Sequence, residues 1–325
     1  MFRRLMILAA MLAAAATPAY PQVDPHLSET VSVGYVMVPF TVLSSKGNPI
    51  TDLRENEVSL EVDGLAVRGD VFEKSENAPV SFTILLDGSG SMGLAGKMEA
   101  AQAAVEALTV RRLPGDDFSL YVFSDSEAKE IVPFTTNPIE ILRAMHAVKP
   151  FGKTAFFDAL ATMPERSRLG RNPTRAIILL SDGIDNASKL TRNDLEQLLQ
   201  GVAVPIYPLG LREPSEQTGA SRDERNDLGL LDDVASLTGG HLFVGIRPDQ
   251  LGSAVETLEK SLRAQYLIGF TPTGKGTVKY RHISLRLAGR IRSVRVRAGY
   301  LGTEPPVLTA ASSGEKAKRT ERKRS

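Results

Sequence analysis

Residues 176–180, Ala-Ile-Ile-Leu-Leu, form an unbroken apolar run that ends at once in Ser181-Asp182-Gly183. A run without polar alternation is what a strand covered on both faces requires, and such strands belong to parallel sheets flanked by helices. The pattern recurs on both sides. Ser81-Phe-Thr-Ile-Leu-Leu86 reads as a short apolar strand, followed by a helix from Lys97 to Arg112 with Met98, Ala101, Val105 and Leu108 on one stripe. Asp117 to Phe123 is the next strand, and Lys129 to Phe134 an antiparallel edge strand. Pro138 opens a helix to about Ala147, and Ala155 to Met163 forms another. Thr191 caps a helix to Gln200. Val204 to Leu209 is a strand that Pro205 and Pro208 push toward an edge or make irregular. Arg212 to Asn226 reads as a charged surface loop, Leu228 to Leu237 as a helix, and His241 to Gly245 as a last strand. Pro248 then starts a helix with Leu251, Val255, Leu258 and Leu262 on one face. Strands alternating with helices imply an α/β fold with a Rossmann-like, doubly wound, mostly parallel sheet over residues 80–264.

The flanks read as β structure. Val58, Leu60 and Val62 alternate with polar residues, and Asp63-Gly64 supplies a turn. Val31 to Val42 is a second strand-rich run. Beyond Gln265, Ile283, Leu285 and Leu287 alternate with polar neighbours, as do Val294, Val296 and Ala298 with Arg295 and Arg297. Ile291 breaks the parity, which places a bulge near Arg292-Ser293. Residues 28–77 hold nine acidic and four basic side chains, whereas 260–303 hold ten basic and none acidic. Opposite charges across strands favour pairing. The expectation is therefore one small β-sandwich built from segments 28–77 and 265–302, with the α/β domain inserted between them.

The chain begins Met1-Phe-Arg-Arg4, continues with an apolar run from Leu5 to Ala16, and offers small residues at Thr17 and Ala19. Residues 1–19 therefore read as a secretory signal peptide. Twelve apolar residues rise only about 18 Å as a helix, short of a hydrocarbon core of roughly 30 Å. No later run approaches the length of a membrane span, so the expected product is an exported protein, periplasmic or secreted. Residues 303–325, with six basic and three acidic side chains, read as a disordered tail.

Composition narrows the chemistry. Cysteine is absent, which excludes disulfides, thiolate metal sites and a cysteine nucleophile. His26, His146, His241 and His282 are too scattered for a zinc motif or a hydrolase triad. A formal charge of +1 gives no electrostatic basis for nucleic-acid binding. What remains lies at strand ends. The first α/β strand runs into Asp87-Gly-Ser89-Gly-Ser91, Thr154 follows Gly152-Lys153 just before a helix, and Asp182 ends the apolar run. In a doubly wound sheet these strand ends meet in one crevice. They deliver two carboxylates and three hydroxyls, an all-oxygen set suited to Mg²⁺ first and Mn²⁺ or Ca²⁺ next.

Asp87-x-Ser89-x-Ser91, the distant Thr154 and then Asp182 resemble the metal-ion-dependent adhesion site of the von Willebrand factor A domain family. The flanks, with Leu53-Arg-Glu-Asn-Glu57 before and Leu262-Arg-Ala-Gln-Tyr266-Leu-Ile-Gly-Phe270 after, are similar to bacterial proteins related to that family. The resemblance implies a divalent cation held by Asp87, Ser89, Ser91, Thr154 and Asp182, completed by an Asp or Glu carboxylate from a protein partner. It implies an adhesion or scaffolding module rather than an enzyme. Lys153 departs from the small residue common before the threonine, and either weakens the metal by repulsion or adds a contact to the partner.

Two other readings stay open. Gly88-Ser-Gly90-Ser-Met-Gly93 also fits G-x-G-x-x-G, so the crevice could serve a nucleotide- or metal-dependent enzyme with Asp185 as the local base. Against this, Asp87 would set a carboxylate beside a pyrophosphate. The third reading is a structural envelope protein whose metal site is a relic.

Overall fold

The computed structural model describes residues 34–45, 48–75, 77–212, 222–245, 247–288 and 293–306. All lie in one compact unit, Val33–Ser325. The expected signal peptide, the bulge at Arg292 and the tail beyond residue 306 fall outside the described residues.

Among the described residues, four strands precede the α/β region: β1 (Val36–Leu43), β2 (Val58–Val62), β3 (Leu65–Val67) and β4 (Val71–Lys74). The α/β region runs β5 (Val80–Asp87), α1 (Lys97–Val110), β6 (Asp117–Phe123), β7 (Lys129–Thr135), α2 (Pro138–Ala147), α3 (Phe156–Ser167) and β8 (Thr174–Ser181). It continues with α4 (Arg192–Leu199), β9 (Ile206–Gly210), α5 (Arg222–Thr238), β10 (Phe243–Val244) and α6 (Pro248–Arg263). Among the described residues, four strands follow it: β11 (Tyr266–Phe270), β12 (Lys279–Leu287), β13 (Ser293–Val296) and β14 (Gly299–Gly302).

The central sheet has the order β10-β9-β8-β5-β6-β7. It is parallel except for β7, which lies antiparallel to β6 at one edge. Every residue of β5 is buried, because helices cover both faces. Phe82, Ile84 and Leu86 pack with Met98, Ala101, Val105 and Leu108 of α1 and with Leu251, Val255, Leu258 and Leu262 of α6. The alternate side chains Leu85, Ile177 and Leu179 pack with Phe156, Leu160 and Met163 of α3 and with Leu195 and Leu231. The order reverses between β5 and β8, the place where the loops after the carboxyl ends of such strands can converge on a ligand.

Several expectations need correction. The expected loop from Arg212 to Asn226 is partly helix, since α5 starts at Arg222. Polarity does not break a helix; Arg and Glu favour one, and no Gly or Pro falls between Arg222 and Leu228. The strand from His241 is only the two-residue β10, and it takes the sheet edge. The proline-bearing β9 is therefore one strand in from that edge. Pro208 is accommodated because β10 pairs only with Leu209 and Gly210 beyond it. Helix α3 runs four residues past Met163, with Pro164 inside its final turns.

The flanking strands interleave. One antiparallel sheet has the order β13-β1-β11-β4, and the other β14-β12-β2-β3, so each combines strands from both ends of the chain. Their facing sides share one core containing Val38, Phe40, Leu60, Val62, Tyr266, Phe270 and Ile283. Phe40 stacks on Tyr266 with ring centres 5.5 Å apart. Asp63 and Gly64, both at positive φ, make the tight turn between β2 and β3. The charge asymmetry is realised in contacts: Arg286 Nε lies 2.9 Å from Glu61, and Arg281 Nη1 lies 3.1 Å from Asp63. Contrary to simple alternation, Arg297 is buried, with Nη2 donating to the Met37 carbonyl. The α/β region covers this strand end, for Ala298 N–H donates to Leu237 O at the end of α5.

Among the described residues, no helix is long and apolar enough to cross a membrane.

Candidate metal centre

Asp87 is the last residue of β5 and is fully buried. Its Oδ1 accepts the Ser89 N–H at 2.9 Å and its Oδ2 accepts Ser181 Oγ–H at 2.7 Å. Burial pushes its carboxyl up to about 6 and the nearby Asp182 charge adds to the rise, while the hydrogen bonds from Ser89 and Ser181 oppose it. The loop then forms a short 3-10 turn, Gly90–Gly93. This turn brings the Ser89 and Ser91 hydroxyls within 3.1 Å of each other.

Gly88 is required by close approach, since a Cβ there would lie 2.8 Å from Val122 Cγ1. Two backbone bonds fasten this loop to the segment that carries Thr154: Phe151 N–H donates to Gly88 O at 2.8 Å and Gly90 N–H to Gly152 O at 3.0 Å. Gly152 itself sits at φ +88, where side-chain residues are strained. Thr154 is buried; its N–H donates to Asn186 Oδ1, and its carbonyl accepts from the N–H groups of Asn186 and Ala187. The loop after Asp182 is thereby tied to the other two. Asp182 is buried at the end of β8, and its Oδ2 receives Lys97 Nζ at 2.7 Å.

The three loops that carry the five expected residues are thus stapled together at the switch between β5 and β8. Hydroxyl meets hydroxyl at Ser89 and Ser91, carboxylate influences carboxylate at Asp87 and Asp182, and Thr154 joins through its backbone. The donor chemistry fits a hard cation. All the side-chain donors are oxygen, and the 3.1 Å between the two hydroxyls is close to the ~2.9 Å edge of an octahedron with Mg–O bonds of about 2.05 Å. Among the described residues, no group of three or more histidine, cysteine or carboxylate side chains is gathered, so such a site depends on its hydroxyls.

Two contributors escaped sequence reading. Ser181 anchors Asp87, and Lys97 pairs with Asp182. Lys153, the lysine singled out in the sequence, is exposed. The position of Lys97 at the start of α1, six residues after Ser91, was the available signal. Asp185 is engaged structurally: its Oδ1 accepts Phe156 N–H at 2.8 Å and Ser188 Oγ–H at 2.5 Å, capping α3. Asp116 and Asp117 lie at the opposite end of the strands, where they bind Arg263 and Ser81.

The sheet order and its helical layers are those of the von Willebrand factor type A fold, and residues 82–184 match the family model described as von Willebrand factor type A domain. No curated protein matches the chain. Among solved structures, the chain is similar to a von Willebrand factor type A protein from Catenulispora acidiphila, at 16% identity, 76% of this chain, 75% of that one and a TM-score of 0.46. It is similar to an aerotolerance-related membrane protein from Bacteroides fragilis, at 19% identity, 56% of this chain, 98% of that one and a TM-score of 0.42. A third similarity is to the vWF domain of the type V pili tip protein Mfa5 from Porphyromonas gingivalis, at 14% identity, 57% of this chain, 95% of that one and a TM-score of 0.43.

Proposed function

We propose that this chain is an exported protein-binding module that captures an acidic side chain of a partner protein at a divalent-metal site. Asp87, Ser89, Ser91, Thr154 and Asp182 would hold the cation, Mg²⁺ first and Mn²⁺ or Ca²⁺ as alternatives. The observation that carries the proposal is the pair of hydroxyls at 3.1 Å set directly beside a buried, hydrogen-bonded Asp87. A divalent ion there supplies an oxygen-seeking positive charge that a carboxylate can complete. Neutral hydroxyl ligands leave more of that charge uncancelled than carboxylates would. Export rests on the leader-like residues 1–19.

The proposal needs no catalytic step. Asp185, the local candidate for a general base, is occupied in capping α3. An enzyme remains the second reading only if turnover accompanies metal binding.

The test is calorimetric titration of Mg²⁺ into the wild type and Asp87→Ala. Binding by the wild type and its loss in a variant that keeps a native circular dichroism spectrum support the proposal. Equal affinity in the two proteins refutes it.

A further inference from the structure

Lys97 stands in an unfavourable place unless it has a purpose. It is the first residue of α1, where the helix macrodipole disfavours a cation. Its side chain is only 16% exposed, and its ammonium lies 2.7 Å from Asp182 Oδ2, whose side chain is wholly buried. The residues that follow it in α1, Met98, Ala100 and Ala101, are buried, and Gly96 at φ +73 turns the chain into the helix. Of the two buried aspartates, Asp182 therefore has a built-in cation, while Asp87 is held by hydrogen bonds from Ser89 and Ser181.

We infer that Lys97 is a counter-cation to Asp182 that weakens the site's hold on a divalent ion and strengthens the loaded site's hold on a carboxylate. The inference rests on the metal-dependent reading above. Formal charges give its sign. Two aspartates and Lys97 sum to −1, so a divalent ion brings the site to +1. With the lysine neutralised, the loaded site would be uncharged. A cation a few ångströms from the metal position repels the metal and attracts the anion that completes it, and at such distances the effect is large even with protein-like screening. Lys97 thus sets the selectivity of the site between its ion and its partner.

The experiment measures two affinities of opposite expected change. Mn²⁺ binding is followed by electron paramagnetic resonance, and acetate binding to the Mn²⁺-loaded protein by water-proton relaxation, for the wild type, Lys97→Met, Lys97→Gln and Lys97→Arg. Both neutral variants should bind Mn²⁺ tighter by about fivefold or more and bind acetate weaker by about threefold or more. Lys97→Arg should behave as the wild type. The glutamine variant retains a hydrogen-bond donor for Asp182, so it carries the test where the methionine variant fails to fold. Unchanged or weaker Mn²⁺ binding in natively folded neutral variants would overturn the inference and leave the metal site standing. Absence of Mn²⁺ binding in all four proteins would overturn both the inference and the metal-dependent function.

Discussion

Ser181 Oγ donates a 2.7 Å hydrogen bond to Asp87 Oδ2, so the end of β8 holds the end of β5. The bond spans the point where the sheet order reverses, and it fixes the carboxylate on which the site is built. Both residues are fully buried. In Ser181→Ala, the buried Oδ2 loses this donor. Stability to urea, measured without metal, should fall by about 1–3 kcal/mol, the usual cost of a buried polar atom left unpaired. A change within measurement error would show that the bond does not anchor Asp87.

The architecture was legible where side chains repeat with a clear period. The apolar run at 176–180 announced a doubly covered strand, and the stripe through Leu251, Val255, Leu258 and Leu262 announced α6. Both appear as expected. The opposite charges of the flanks also foreshadowed the contacts of Arg286 with Glu61 and Arg281 with Asp63. What stayed hidden depends on three-dimensional proximity. The place of Lys97 just after the Ser89/Ser91 loop puts it near the site, but that Asp182, 85 positions away, is its partner shows only in three dimensions. Arg297 looks like a solvent-facing alternation in sequence, yet it is buried with its guanidinium donating to the Met37 carbonyl of β1.

Arg263 joins the end of α6 to the base of the central sheet. Its Nη2 lies 2.7 Å from Asp116 Oδ2, and Nη1 also donates to the Ala78 carbonyl. Asp116, fully buried, further accepts the N–H groups of Val80 and Leu113. Arg263→Met should lower unfolding free energy by about 3 kcal/mol, because it strands a buried charge. Arg168→Ala, which removes an exposed pair with Glu165, should change it by less than about 1 kcal/mol. Equal effects in the two variants would show that the Arg263 pair contributes no more than a surface contact.

His241 packs edge-on against Phe243, with ring centres 4.7 Å apart. Burial, reinforced by the nearby Arg295 charge, lowers its pKa to about 4. The folded protein therefore keeps this ring neutral while the unfolded chain protonates it below about pH 6.5. Below that pH the unfolded state binds more protons, so stability should fall as pH drops from about 6.5 to 4. His241→Gln should flatten this part of the curve when denaturation midpoints are compared at pH 7, 6 and 5. Parallel curves for the two proteins would contradict the assignment.

Phe40 places the N-terminal flank against the C-terminal one, stacked on Tyr266 and near Phe72. Phe40→Ala should cost about 3–5 kcal/mol. Hydrogen exchange should quicken together in β1 and β11, which pair directly. Acceleration confined to β1 would mean that the two flanks do not stand or fall as one sheet.

The most direct measurement is the anomalous diffraction of a crystal soaked in millimolar Mn²⁺. We predict one strong peak between the loops of β5 and β8, within bonding distance of the hydroxyls of Ser89, Ser91 and Thr154. A well-ordered crystal without a peak there, or with the Thr154 hydroxyl out of reach of the ion, would contradict a cation shared by the three loops.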